Sequence, residues 1–203
     1  MRRSLFGLLT LVAIAGLLLT TSCQRAATLR VVSINNGTTL RSDIADYVTY
    51  VNKDSEEIIM YQAEPDSVPV ELQYVQIGAG LPTWTPYEAL INKATIKYVG
   101  STEAGIDYST YATVVYPLTE YVSADPTATK TTKFWLTAVS GTMKDAVFSG
   151  SVTEPPEYNL IDLVTATVTF AGYDSVANQT VQANGQFQIE FGNFYDDTTK
   201  FGK

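Results

Sequence analysis

Chemistry near neutral pH usually recruits histidine, cysteine or paired carboxylates, and this chain supplies them very unevenly. It has no histidine and a single cysteine, Cys23, beside 21 acids. Without histidine, Ser–His–Asp and Cys–His catalysis are excluded, as are the usual zinc sites and the commonest general base. A single cysteine excludes C-x-x-C redox chemistry and c-type haem attachment. Gly78 and Gly80 lack the further glycines and the following Lys-Ser/Thr of a phosphate-cradling loop. Two facing carboxylates can hydrolyse a glycosidic bond, but Glu56 and Glu57, adjacent in a strand, point to opposite faces. Asp107, Asp174, Asp196 and Asp197 fall in or beside expected turns, where calcium takes oxygen ligands, yet no EF-hand spacing is present. No catalytic, metal or cofactor residue is assigned, and the chain reads as a non-enzyme.

Contact chemistry is better represented, by 13 tyrosines, 8 phenylalanines and 2 tryptophans. Most suit a β core or cross-strand pairs. Trp84 stands apart in the Pro-flanked stretch Leu81–Pro82–Thr83–Trp84–Thr85–Pro86–Tyr87. Trp84 and Tyr87 are therefore the candidate ligand contacts, able to stack on a sugar ring or anchor a protein partner. The plainer alternative folds this loop back to plug the end of the fold. Trp135, inside FWLTAV, reads as core or sheet surface, and the sequon asparagines Asn36 and Asn178 read as turn residues.

Cys23 follows Arg2 and Arg3 and an uncharged, apolar or small stretch from Leu5 to Thr20, the layout of an export signal. That stretch falls short of the roughly 20 apolar residues of a comfortable bilayer span. Thr20-Thr21-Ser22-Cys23 resembles the lipobox of bacterial lipoproteins, with Thr20 where the family prefers Leu and Leu19 one place further out. The resemblance implies cleavage before Cys23 and acylation of its thiol, palmitate included, so that the protein is held to a membrane by lipid. Plain secretion or a retained N-terminal helix are the alternatives. By resemblance to the enterobacterial sorting rule, aspartate after the cysteine would signal inner-membrane retention. Gln24 stands there instead, which points to the outer membrane of a bacterial envelope.

Cleavage would remove two of 13 basic residues and no acid, leaving 11 against 21 over 181 residues, a net charge of −10. That balance argues against nucleic-acid binding and against electrostatic attachment to anionic lipid. The expected organisation is a signal peptide over 1–22, the lipidated cysteine and a short tether over 23–28, and one domain over 29–203.

The elements of that domain read as strands. LRVVSI (29–34) ends at the turn Asn35-Asn36-Gly37, and EEIIMYQ (56–62) follows a second turn. Residues 38–52 fit a short helix over 42–47 followed by a strand, or two strands. VPVELQYVQI (68–77) alternates, with Val68, Val70, Leu72 and Tyr74 toward the core. In 89–100 the spacing puts Leu90, Asn92, Ala94, Ile96 and Tyr98 on the apolar face and Ile91 on the other. Strands are also expected over 108–123, with Pro117 at a bulge or bend, over 133–139 and, shorter, near 146–149. In 160–175 Val164, Ala166, Val168 and Phe170 line one side, and Phe187, Ile189 and Phe191 do so in 180–196, with Asn184-Gly185 a turn or a bulge. About eight or nine mostly antiparallel strands with no helical periodicity imply an all-β fold, an immunoglobulin-like β-sandwich.

The closing run, ATVTFAGYD…QTVQANGQFQIEFGNFYD (166–196), resembles the final hairpin of small uncharacterised bacterial envelope lipoproteins. That resemblance supports fold and location and carries no site residue. The functional expectation is a membrane-anchored envelope lipoprotein with a structural or protein-interaction role. The alternatives are a carbohydrate-binding or adhesion module using Trp84, and an accessory subunit of an envelope complex.

Overall fold

The structure, a computed structural model, describes residues 27–44, 46–51, 57–77, 87–100, 111, 113–150 and 159–194. Cys23, Glu56, Trp84, Asp107, Asp196 and Asp197 lie outside them. The described residues form ten strands and one helix: β1 (Ala27–Ile34), β2 (Leu40–Asp43), β3 (Asp46–Val51), β4 (Glu57–Gln62), β5 (Asp66–Gln76), β6 (Glu88–Val99), β7 (Thr113–Asp125), β8 (Thr132–Val139), α1 (Gly141–Gly150), β9 (Asn159–Asp174) and β10 (Thr180–Asn193). The fold is all-β in character. No helix among the described residues is long and apolar enough to cross a membrane.

Eight strands make one curled, mixed sheet in the order β1-β5-β7-β6-β9-β10-β2, with β8 also on β5, while β3 and β4 form a separate hairpin. Most pairings are antiparallel, but β2 runs parallel to β10, and β7 touches β5 in parallel at Tyr74–Ala124 and Val75–Asp125. The parallel contact lets β7 leave β6 at its end and reach β5, so the sheet turns on itself. Across the fold, Phe134 of β8 meets Phe170 of β9 edge-on at 5.9 Å. The Tyr98 hydroxyl of β6 donates to the Ala138 carbonyl of β8 at 2.8 Å. Burial above all, then the neighbouring Tyr116, pushes the Tyr98 phenol far up, so it stays a donor.

Alternation held over 68–74 and 164–170, where no residue is inserted in β5 or β9 themselves. Val68, Val70, Leu72 and Tyr74 are fully buried, as are Val164, Ala166, Val168 and Phe170. In β6 it broke. Ile91 pairs with Gly172 and Lys93 with Ala171, leaving Asn92 as a bulge. One inserted residue reverses which side faces the core. Ala89 and Ile91 are buried before the bulge and Ala94, Ile96 and Tyr98 after it, while Asn92 is exposed and Leu90 half-buried. Pro117 of β7 stands beside this irregularity, opposite Lys93, as expected of a residue that cannot donate to a ladder.

Other elements also differ from the sequence reading. Of the two readings of 38–52 the structure has the two strands, β2 and β3, whereas 146–149, expected as a strand, belong to α1. There the Met143 N–H lies 3.2 Å from the Ser140 hydroxyl and 3.0 Å from its carbonyl, which starts the helix. Met143 and Val147, four apart, are buried against the core. The Lys144 ammonium, also buried, lies 3.1 Å from Asp66 Oδ2 at the start of β5. A short apolar run does not distinguish helix from strand, and this packing decided it. Asn184-Gly185 is neither turn nor bulge but pairs in register with Thr169 and Val168. A Cβ on Gly185 would stand 2.8 Å from Ile34 Cδ1 and 2.9 Å from Val31 Cγ1, so glycine makes room for β1. Asn36 and Asn178 are turn residues, with φ of 53° and 55°, and Trp135 is on the sheet surface, 70 % exposed.

At the bulge, a Cβ on Gly172 would run into the Leu90 carbonyl oxygen. Gly172→Ala is expected to destabilise the domain by about 1–3 kcal/mol through overpacking against backbone. Gly185→Ala, which meets only side-chain ends, should cost less. Urea unfolding midpoints of the two variants test this order, and equal midpoints would sink it.

Candidate functional site

One end of the sheet gathers the residues with the most specific polar chemistry. There β5, β7 and β9 finish and β1, β6, β8 and β10 begin. Strand ends leave backbone N–H groups without ladder partners, and two aspartates collect them.

Asp174, the last residue of β9, is fully buried. Its Oδ2 accepts from the Tyr74 hydroxyl at 3.1 Å and the Tyr87 N–H at 3.2 Å. Its Oδ1 accepts from the N–H groups of Val176 at 3.0 Å and Ala177 at 2.9 Å. One carboxylate thus ties β5, the segment entering β6, and the β9–β10 turn. Burial first, then the charge and hydrogen bond of Asp174, pushes the Tyr74 phenol far up and keeps it protonated. Tyr87 is held by its backbone on both sides, since its carbonyl accepts from the Ala124 N–H at 2.8 Å. Its side chain is left 66 % exposed.

Asp125 closes β7 and is buried as well. Its Oδ1 accepts from the Thr127 N–H and hydroxyl at 2.9 and 2.6 Å. Its Oδ2 accepts from the N–H groups of Thr129 and Lys130, both at 2.6 Å, and from the Thr129 hydroxyl at 3.2 Å. Ala128, with φ of 54°, turns the chain so that these donors converge. The Thr127 hydroxyl bond, then the backbone bonds from Lys130 and Thr127, hold the Asp125 carboxyl well below the usual carboxylate range.

Both carboxylates are occupied by donors of their own chain, so the arrangement positions turns rather than abstracting protons. The two oxygens of Asp174, one of the turn acids considered for calcium, accept four bonds from the chain itself. Among the described residues, no group of three or more His, Cys, Asp or Glu is placed to hold a metal. A cleft between the Asn35–Gly37 turn and β10, lined by Ile34, Thr38, Gln186 and Phe187 among others, contains no ionisable group.

Of the sequence-derived candidates, Tyr87 is exposed at this end, while Cys23 and Trp84 fall outside the described residues. Sequence reading took Asp174 for an ordinary turn acid and missed Tyr74 and Asp125 as positioning residues. A signal existed for Asp125. Asp-Pro-Thr-Ala-Thr-Lys (125–130) places threonines two and four residues on, where a side-chain carboxylate caps its own turn. Compared with known proteins, the chain matches no family model and no curated sequence.

Asp174→Asn replaces acceptors with a donor facing N–H groups and should cost about 2–3 kcal/mol, with Tyr74→Phe costing less. Urea unfolding measures both, and an unchanged midpoint for Asp174→Asn would refute the role given to it. Asp125 predicts a pH dependence. A depressed carboxylate contributes stability fully above its unfolded value of about 3.9, and that contribution is lost as pH falls toward the native value. The stability gap between wild type and Asp125→Asn should be constant above about pH 5 and narrow below about pH 4. Thermal melts across that range check it, and a gap independent of pH would contradict it.

Proposed function

We propose that the chain is a lipid-anchored protein of a bacterial envelope, held to a membrane through Cys23, with a structural or protein-interaction role. The observation that carries this reading is a lone cysteine placed directly after a basic, then apolar leader and four residues ahead of β1. A free thiol in an exported protein asks for an explanation, and acylation supplies one. Several acyl chains on one cysteine give stable anchoring where a single chain is marginal. Gln24 favours the outer membrane.

We also propose that the curled sheet is an immunoglobulin-like sandwich, with β1, β5 and β8 facing β2, β10, β9, β6 and β7. The Phe134–Phe170 and Tyr98–Ala138 contacts support it. The carbohydrate-binding or adhesion alternative keeps one observation, the exposed ring of Tyr87.

Cys23→Ser tests the anchor. Palmitate labelling should disappear and the protein should move from the membrane to the soluble fraction, whereas persistent labelling would overturn the reading of the leader. In mild detergent extracts the wild-type protein should co-purify with a second envelope protein. Its repeated recovery alone would count against the interaction role.

A further inference from the structure

The end of the sheet organised by Asp174 differs from the opposite end in its acids and not in its exposed apolar side chains, since Val99 and Val115 are exposed at the opposite end. Three large apolar side chains project at the Asp174 end: Ile77 at 50 %, Tyr87 at 66 % and Val176 at 70 % exposure. All three belong to segments tied to one carboxylate, through Tyr74, the Tyr87 N–H and the Val176 N–H. The acids of these turns are internalised, since Asp125 and Asp174 are buried. Glu88 is half-buried, and Lys130 is the one exposed charged side chain among the described residues of the turns. Among the described residues, the acids that are well exposed, Glu64 and Asp145, lie just before β5 and in α1, at the other end.

The chain's N-terminal attachment falls at the same end. β1 begins at Ala27, which pairs with Gln76, the neighbour of Ile77. Three residues lie between Cys23 and Ala27, so four residue steps give a reach of at most about 14 Å fully extended. A cysteine acylated in a bilayer therefore draws this end, and not the acid-bearing one, against the surface.

We propose that this end of the domain rests directly on the bilayer holding the acyl chains of Cys23, with Ile77, Tyr87 and Val176 entering its interfacial layer. The inference rests on the lipid-anchor reading above. Apolar and tyrosine side chains gain from the boundary between headgroup and acyl chain, and carboxylates would lose hydration there. Asp125 and Asp174 avoid that loss because donors of the chain itself fill their oxygens. Lys130 can extend its charge to the headgroups while its stem stays on the apolar side. The short tether removes the freedom to tumble that a long linker would leave.

The test uses the full-length protein exported with its leader, extracted in detergent and reconstituted into phosphatidylethanolamine vesicles carrying a headgroup spin label. Acylation leaves Cys23 without a thiol, so a fluorophore can be attached at Val176→Cys or, at the opposite end, at Thr142→Cys, both exposed positions. Loss of most of the fluorescence at 176 with little loss at 142 supports the proposal. Equal quenching at both positions, or none at 176, in protein that carries palmitate overturns it while leaving the anchor intact. Absence of palmitate on the wild-type protein overturns the anchor reading and this inference with it.

Discussion

Asp174 places a carboxyl group where it is fully buried, and much of the molecule is arranged around that fact. A buried carboxylate is tolerable only when donors fill its oxygens. Here they come from three separate parts of the chain: a tyrosine hydroxyl on β5, the N–H that precedes β6, and two N–H groups of the β9–β10 turn. The curl of the sheet makes this convergence possible, because Tyr74 and Asp174 are 100 residues apart in sequence. The interaction in turn holds the curl closed at that end. Phe134 against Phe170 and Tyr98 against the Ala138 carbonyl hold it elsewhere.

The same device recurs at Asp125, where a single turn supplies every donor. Both sites remove a carboxylate from the surface and leave the described turn residues without an exposed acid. A chain with excess acid can thus keep one end nearly free of exposed negative charge. On the proposed lipid anchor at Cys23, that distribution would matter more than the net charge, because the end nearest the anchor would face the membrane.

The legible part of this structure was the part governed by local periodicity. In β5 and β9 every second residue is apolar, and the residues so marked over 68–74 and 164–170 are buried, with Gln73 and Val75 buried as well against the pattern. Turns at Asn35–Gly37 and near Asn178 were legible because asparagine and glycine accept the left-handed backbone found there. β6 was only half legible. The bulge at Asn92 depends on how two neighbouring strands pair with it, and one strand's own sequence contains no record of its partners' register. The segment 146–149 was misread for a related reason, since Met143 and Val147 become a helical face only when a core is present to bury them. The site was legible as a list of residue types and not as an arrangement: Tyr87 and Asp174 were both singled out, but nothing local joins them.

What the sequence by itself determined is therefore the strand-rich class, the exclusion of histidine- and cysteine-based chemistry, and the leader-like run ahead of Cys23. These follow from composition and from spacings of a few residues, which do not change on folding. Only the tertiary structure decided the mixed order of the sheet, the phase of β6, the helix after β8 and the gathering of Tyr74, Tyr87 and the β9–β10 turn on Asp174. Each of these depends on contacts between segments tens of residues apart, where burial and the need to satisfy backbone donors act on the assembled chain and not on any stretch of it.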